Sequence, residues 1–305
     1  MTYSDFKYPR QMLGVQEYDG HLSIHDDKMA EDLGFSGAPV EGPTHFSQFV
    51  PLLHGLFGDA WFERGCISAH YQNMVVEGEE VRVFVEPIED GATITRIGTE
   101  KRDGTPVLTG TGSIGPDFGE TEIQRRLGRL RPSDQLVILT DLAVGQKGAA
   151  NPEEVIMAFD QNMGQLYPFS LNEKLAKITE NHAYYTSTDN PWGKPVIPLE
   201  MISVLTQYTS GNTGFRSRGP AVGLFAGQEI KLINGPLFVN HKYQLEREII
   251  ALSESRRTES NWVRTSIYDA QSRELVAEVI LNSATLKDSY ANYAEDAAAL
   301  GKELG

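Results

Sequence analysis

The chain has 305 residues, a length typical of two domains. Hydrophobic residues make up 40% and charged residues 23%, which excludes collagen-like, disulfide-dense and largely disordered proteins. Asp and Glu outnumber Lys and Arg by 42 to 27, so the net charge is −15. This charge disfavours nonspecific binding to nucleic acid or to an anionic membrane.

The cysteine count and the first residues indicate a compartment. Cys66 is the single cysteine, so an internal disulfide is excluded and a reducing cytoplasm is expected. Residues 1–10 are polar and charged, without the apolar core of a signal peptide, and no run of about 18 apolar residues occurs. We therefore expect a cytoplasmic protein with neither a membrane nor a nucleic-acid partner.

An internal repeat is the strongest pattern in the chain. Ser-Ile-His-Asp at 23–26 precedes Gly-Ala-Pro-Val at 37–40, and Thr-Glu-Asn-His at 179–182 precedes Gly-Lys-Pro-Val at 193–196. The spacing is the same in both pairs, which superpose at an offset of 156 residues without a gap. The chain is therefore predicted to contain two copies of one structural unit.

Two helices are predicted at the start of the first copy. Ser23 and Asp26 have capping-box spacing, so a short helix should begin there and end at Gly34. A longer helix should begin at Pro43, because the first turn does not need the missing proline N–H. Its apolar stripe consists of Phe46, Phe49, Val50, Leu53 and Phe57. The matching helix of the second copy should run from Pro198 to about Thr209.

Downstream of each long helix the apolar period changes from 3.6 to 2, which predicts four antiparallel strands per copy. The predicted strands cover 67–76, 80–85, 93–100 and 107–113 in the first copy, and 224–233, 242–251, 261–268 and 275–284 in the second. Gly78 and Asn240 are expected to adopt a left-handed turn conformation before the second strand of each copy.

The segment between the copies is polar. It runs from Pro116 to about Ser133 and contains Arg125, Arg126, Arg129 and Arg131. Arginine clusters can bind nucleic acid, but the interleaved acids and the net negative charge favour a linker. The Ala-rich, acidic tail from residue 290 to 304 is predicted to form a surface helix.

Several short motifs resemble the MaoC-like acyl dehydratases and (R)-specific enoyl-CoA hydratases. Residues 30–35 match the family pattern A-x-x-x-G-F, and Pro39-Val40-Glu41-Gly42 follows the pattern P-V-x-H-G except at Glu41. The turn around Gly78 resembles the F-x-G-D turn of that family. These motifs cover about the first 110 residues directly and the second copy through the repeat.

The resemblance implies an α+β double hot-dog fold, with two repeats of a central helix wrapped by a curved antiparallel sheet. We expect an N-terminal hot-dog repeat at 1–115, a linker at 116–135 and a C-terminal repeat with a final helix at 136–305. It also implies a small-molecule substrate, with an acyl-CoA thioester as the family's substrate class. Sheets that pair edge to edge would imitate the family's homodimer within one chain, and we expect two such chains to form a homodimer.

The acid-base pair of that family is absent at the expected positions. Its D-x-N-P-x-H motif should precede residue 30, where the chain has Asp19 at the Asp position and Ile24 at the His position. The histidine of P-V-x-H-G is replaced by Glu41 in the first copy and by Ile197 in the second. A hydratase with this sequence would have to use other residues.

The start of the first long helix contains the leading candidates. Glu41 and His45 are candidate acid-base catalysts, since a desolvated carboxylate and an imidazole can both titrate near neutral pH. Gly42 and Thr44 are candidate substrate-binding residues beside them. The alternatives are that Glu41 only stabilises the helix dipole and that backbone or solvent satisfies His45.

The second copy offers three more candidates. Glu200 is an acid in an apolar segment and aligns with Thr44, so it is either catalytic or a salt-bridged structural acid. His182 and Tyr185 should lie on one face of a short helix, His182 as a catalytic and Tyr185 as a substrate-binding candidate. In the alternative interpretation the tyrosine packs in the core and the imidazole caps the helix.

Of the remaining polar residues, Asp26 is a candidate substrate-binding residue, and its neighbour His25 is expected at the surface. No metal or cofactor is expected, because the chain has neither H-E-x-x-H nor paired C-x-x-C, no EF-hand loop, no phosphate loop and no dinucleotide fingerprint.

Three functions remain open from the sequence. The leading hypothesis is a MaoC-like lyase that adds or eliminates water by acid-base chemistry on an acyl thioester or a related small carbonyl compound. The second is a noncatalytic binding or scaffold subunit, and the third is a thioesterase. A pocket in which His45 and a carboxylate converge would favour the enzyme, and an apolar, filled tunnel would favour the scaffold.

Overall fold

The structure is a computed structural model that describes residues 1–14, 16, 23–25, 27–32, 34, 36–131, 133 and 135–303. The strands of this described part are β1 (Thr2–Tyr3), β2 (Gly65–Tyr71), β3 (Val81–Val85), β4 (Ile94–Lys101), β5 (Pro106–Ile114), β6 (Glu153–Ile156), β7 (Gly223–Leu232), β8 (Lys242–Glu254), β9 (Thr258–Asp269) and β10 (Leu275–Leu286). The α-helices are α1 (Asp27–Asp32), α2 (Thr44–Gln48), α3 (Val50–Phe57), α4 (Ala60–Arg64), α5 (Glu122–Leu127), α6 (Leu171–Leu175), α7 (Leu199–Gln207) and α8 (Tyr293–Ala299). Short 3-10 helices occur at Ala183–Tyr185, Ser210–Thr213 and Lys287–Ser289.

All ten strands form one antiparallel sheet in the order β1-β3-β4-β5-β2-β7-β10-β9-β8-β6. The order is the same in both repeats when it is followed from each outer edge to the centre, where β2 pairs with β7. The central register runs from Cys66 opposite Lys231 to His70 opposite Gly227. The two repeats thus share one continuous sheet, as predicted.

The eight predicted strands correspond in order and approximate position to β2–β5 and β7–β10, whereas the short edge strands β1 and β6 were not predicted. The strands of the second repeat are longer, with 13 residues in β8 against 5 in β3. Gly78 and Asn240 have positive φ values of 93° and 61°, which confirms the predicted left-handed conformation at both positions.

The central helices lie against the sheet and form the core with it. Phe46, Phe49 and Leu53 have no exposed surface, and burying each such side chain contributes about 1.5–3 kcal/mol. The first long helix is interrupted at Phe49, which separates α2 from α3. Pro51 lacks the N–H that a continuous helix would need at this point, and this explains the break. In the second repeat α7 is uninterrupted and almost wholly buried.

Two predicted segments differ in detail from the structure. The polar linker contains α5, which packs against the sheet through the fully buried Ile123. Its Arg125 and Arg126 pair with the buried carboxylate of Glu122, so these two arginines stabilise the linker. The first short helix, which was predicted to begin at Ser23, runs from Asp27 to Asp32 and stops before Gly34, whose φ is 82°. None of the helices in the described residues is long and apolar enough to cross a membrane.

Candidate active site

A cavity of about 380 Å³ lies where the start of α2 meets the sheet. Residues of both repeats line it, since β7 and the end of α7 contribute to its wall. Its polar side chains include His25, Glu41, His45, Tyr71, Gln72 and Gln207. Its apolar side chains include Ile24, Val40, Val75, Val107, Leu224 and Phe225. The volume is within the range of small-molecule sites.

Glu41 is held at the cavity wall by the backbone next to it. The Val40 N–H donates to the Val75 carbonyl at 2.7 Å, which ties the segment before α2 to the segment after β2. In the second repeat the Ile197 N–H donates to the Leu237 carbonyl at 2.8 Å, which ties the segment before α7 to the segment after β7. The Glu41 side chain is only 9% exposed, so its carboxylate needs a partner inside the protein.

That partner is Lys174, which the sequence analysis did not identify. Its Nζ lies 3.4 Å from Glu41 Oε2 and 3.0 Å from Glu200 Oε2, and it donates to Thr44 Oγ1 at 3.2 Å. Lys174 comes from α6, whose first turn is fixed by a capping box between Ser170 and Glu173. The side chains of Glu41, Thr44 and Glu200 therefore converge on one buried ammonium.

The candidates Thr44 and Glu200 support the cavity from behind, and neither of them lines it. Glu200 has 1% of its side chain exposed and pairs with Lys174, which agrees with the salt-bridged alternative. Burial raises the pKa of the Glu200 carboxyl, although Lys174 opposes the shift. Burial also opposes the charged form of Lys174, but Glu200 and Glu41 outweigh it and raise the pKa of the ammonium.

His45 lines the cavity next to Glu41 and is 2% exposed. Its Nδ1 lies 3.3 Å from Gln48 Oε1, so the Nδ1–H donates to the amide oxygen and leaves Nε2 as an acceptor. Burial lowers its pKa to about 4, with a smaller contribution from the nearby Lys174 charge and against the Gln48 bond. At neutral pH His45 is thus an uncharged imidazole that can orient a ligand or water.

His25 also lines the cavity, which corrects the expectation that it lies at the surface. Its Nδ1 is 2.7 Å from the Pro39 carbonyl, and because a carbonyl only accepts, this nitrogen carries the proton. Burial lowers the His25 pKa, against the Glu41 carboxylate and the Pro39 bond. The Glu41 carboxylate and the neutral His25 imidazole therefore line the same cavity. His25 directly follows Ile24, the residue at the histidine position of the family motif.

Gly42 lines the cavity, but its role differs from the close substrate approach that was expected. A Cβ at this position would lie 2.6 Å from Tyr71 Cζ, so the glycine makes room for the Tyr71 ring. That ring stacks on Phe46 with centroids 6.3 Å apart. The Tyr71 hydroxyl is buried and has no hydrogen-bond partner among the described residues. It is therefore available to a ligand.

The first backbone N–H groups of α2 are bonded within the helix turn. The Thr44 and His45 N–H groups donate at 3.1 Å to the carbonyls of Glu41 and Gly42. They are already satisfied within the first turn, so they do not form an oxyanion-binding pair in this geometry.

Tyr185 and His182 do not line the cavity, and the short helix that contains Tyr185 is a single 3-10 turn. His182 precedes this turn, and its Nδ1 accepts the Tyr184 N–H at 3.2 Å, so the imidazole caps it. Tyr185 is packed in the core, and its hydroxyl has no hydrogen-bond partner in the described part of the chain. Both residues thus match the alternative interpretation, in which the tyrosine packs in the core and the imidazole caps the helix.

Two further expectations concern Asp26 and metal ions. Asp26 lies outside the residues that the structure describes. Within the described residues no group of three or more His, Cys, Asp or Glu side chains is arranged to hold a metal ion.

The corresponding place in the second repeat is almost filled. A void of about 10 Å³ remains there, lined by apolar residues that include Val196, Ile197 and Leu199. Ile197 and Met201 stand where the first repeat has Glu41 and His45, at the offset of 156. The two copies have thus diverged into one polar cavity and one apolar, filled core.

The comparisons with known proteins show the fold. No protein-family model and no curated protein matches the chain. One similar solved structure, from Chloroflexus aurantiacus, is proposed to be a MaoC domain protein dehydratase; it is 12% identical, with 86% of each chain covered and a TM-score of 0.52. Another is a conserved hypothetical protein from Mycobacterium tuberculosis with a double hotdog fold; it is 10% identical, with 90% of this chain and 89% of that chain covered and a TM-score of 0.54. The predicted double hot-dog fold is confirmed.

Proposed function

We propose that the protein is a hydro-lyase that adds water to, or eliminates it from, an α,β-unsaturated acyl thioester or a related small carbonyl compound. The observation that carries this proposal is the convergence of the Glu41 carboxylate with the neutral imidazoles of His25 and His45 on the wall of one cavity. Acid-base addition needs a proton acceptor and a positioned water, and these groups can provide both.

In the hydration direction, Glu41 accepts a proton from water while the water oxygen bonds to the β-carbon. The π electrons move toward the carbonyl, and the proton held by Glu41 is then transferred to the α-carbon. The net reaction adds one water to the double bond. The second O–H of the water can donate to the Nε2 atom of either His25 or His45, and the Tyr71 hydroxyl can donate to the substrate carbonyl.

The lining of the cavity supports an uncharged reacting group. No Lys or Arg of the described residues lines it, and Lys174 is engaged behind the wall by Glu41, Thr44 and Glu200. The acyl or carbonyl part of the substrate would enter the cavity, and any charged carrier would remain outside. The polar lining also favours catalysis over the noncatalytic alternative, which the apolar second repeat resembles.

The test is an assay of the purified chain with crotonyl-CoA and with the N-acetylcysteamine thioester of crotonate. Loss of enoyl absorbance and release of free thiol are recorded together. We expect hydration without thiol release, and a decrease of about 100-fold or more in Glu41→Gln. Glu31→Gln is the matched control, because Glu31 is an exposed acid of α1.

Three outcomes would change the conclusion. Thiol release in step with substrate loss would support the thioesterase instead. Full activity in Glu41→Gln would remove the carboxylate from the mechanism. If a correctly folded protein converts neither enoyl thioester, the hydro-lyase proposal for this substrate class is wrong.

A further inference from the structure

Lys174 is a buried cation placed between the starts of the two central helices. Its side chain is 4% exposed, and its Nζ lies 3.4, 3.2 and 3.0 Å from Glu41 Oε2, Thr44 Oγ1 and Glu200 Oε2. It donates hydrogen bonds to Glu41 and Thr44 and forms an ion pair with Glu200. Glu41 and Thr44 come from the first repeat, whereas Glu200 lies in the first turn of the central helix of the second repeat.

Stability alone does not account for such a group. Burying charges carries a desolvation cost, and apolar residues of similar volume often serve stability equally well. Neighbouring buried positions of the second repeat are occupied by apolar residues, such as Ile197 and Leu199 on either side of Pro198. A Lys-Glu pair kept within this apolar surrounding therefore points to a role at the adjoining cavity.

The cluster also determines the charge next to the cavity. With both carboxylates ionised it contains two negative charges and one positive charge, a net charge of −1. The positive charge of Lys174 contributes to lowering the pKa of His45. The negative charge of Glu41 favours a higher pKa for Tyr71 and for His25. On the far side of the cluster, burial raises the pKa of Tyr185, and the negative charges of Glu200 and Glu180 raise it further. Removing one charge should change the titration of the groups that line the cavity.

We propose that Lys174 is a positioning residue that fixes the Glu41 carboxylate at the cavity wall and sets the charge beside His45, with Glu200 as its anchor in the second repeat. This inference deepens the proposed function and rests on it. The helix start of the second repeat, which has no cavity of its own, thereby supports the site of the first.

The experiment compares Lys174→Met, Glu200→Gln and the double variant with the wild-type protein. The double variant retains the net cluster charge of −1, whereas Lys174→Met leaves −2. His45 is followed by NMR titration of histidine-labelled protein, with its signal assigned by its loss in His45→Asn. We expect the His45 pKa to rise by about 1 unit in Lys174→Met and to return most of the way in the double variant. In Glu200→Gln it should fall below the wild-type value, because the ammonium is less neutralised.

Turnover provides a second reading. We expect kcat/KM to fall about 100-fold in Lys174→Met, as for a misplaced catalytic group. The acid limb of the pH profile should move to higher pH in Lys174→Met and to lower pH in Glu200→Gln, because two adjacent carboxylates take up a proton more easily than one. Lys177→Met is the matched control, since Lys177 is exposed one turn further along the chain.

The NMR readings do not depend on turnover, so they separate this proposal from the proposed function. A chain that converts no thioester but shows the expected His45 shifts would overturn only the function. An unchanged His45 titration in folded Lys174→Met would overturn the role of Lys174. If Lys174→Met does not fold, the conservative Glu200→Gln decides the question, and an unchanged His45 titration there contradicts the proposal.

Discussion

The Tyr71 ring packs directly against the backbone of Gly42 at the cavity wall. The Tyr71 ring lies where a side chain at residue 42 would begin, with its Cζ 2.6 Å from the position of an added Cβ. The ring is held from the other side by Phe46. Residue 42 thus controls the position of the Tyr71 hydroxyl, which sequence reasoning did not assign to the site.

We expect Gly42→Ala to move the Tyr71 ring and to lower the free energy of unfolding by about 1–3 kcal/mol, because the added methyl overpacks a closed wall. Turnover should fall with it. Gly55→Ala is the matched control, since its Cβ would meet nothing within 4 Å and the site is helical. Alanine there should stabilise by about 0.5–1 kcal/mol. Urea unfolding of both variants checks the prediction, which fails if they change stability equally.

Two buried tyrosines should respond differently to loss of the hydroxyl. Tyr71→Phe should leave stability unchanged or raise it by about 1 kcal/mol, because its hydroxyl has no partner among the described residues. Tyr243→Phe should destabilise by about 1 kcal/mol, because its hydroxyl accepts the Phe238 N–H at 2.6 Å. Denaturant unfolding measures both. Turnover should decrease only in Tyr71→Phe, and the reverse pattern would remove Tyr71 from the site.

The stability of the protein should decrease on acidification through His45. Its pKa is about 4 in the folded protein and 6.5 in the reference state, so the unfolded chain binds the proton more readily. The loss begins as the pH falls below 6.5 and is complete near pH 4. Between pH 7 and pH 5 it amounts to about 2 kcal/mol. His25, whose pKa is also lowered by burial, adds in the same direction.

Unfolding curves of His45→Gln at pH 7 and pH 5 check this prediction. The variant should have a lower free energy of unfolding at pH 7 but a smaller decrease on acidification than the wild-type protein. An equal decrease in both proteins would show that His45 is not buried in its uncharged form.

The sheet was predictable because its signals are local. Alternating apolar residues and turn formers such as Gly78 and Asn240 specify each strand within a few neighbouring residues. The break at Phe49 was missed because the apolar stripe continues through it, although Pro51 was the available signal. The domain boundaries, the homodimer and the cytoplasmic location stay predictions.

The candidate site was predictable only in part. Glu41, Gly42 and His45 were found because they follow one another at a helix start. Lys174 was missed because its contacts with Glu41 and Thr44 span 133 and 130 residues. A local signal existed, since Lys174 lies three residues after the fully buried Leu171 and so shares its helix face.

His25 was misplaced for a different reason, because the acidic residues Asp26 and Asp27 that follow it suggested a surface position. Its two ring nitrogens have separate tasks: Nδ1–H donates to the Pro39 carbonyl, and Nε2 is left for the cavity. The amide of an asparagine can replace the first task but does not reach the second. His25→Asn should therefore keep the stability within about 0.5 kcal/mol of the wild type while turnover falls about 100-fold.

His54→Asn is the control for this variant, because His54 is half-buried outside the cavity and pairs with Asp59 at 3.2 Å. It should leave turnover unchanged, since neither partner touches the ligand site. Steady-state kinetics with the crotonyl thioesters and urea unfolding measure both variants. If His25→Asn and His54→Asn retain the same turnover, the cavity carboxylate acts without an imidazole at residue 25, and the water must be oriented by His45 alone.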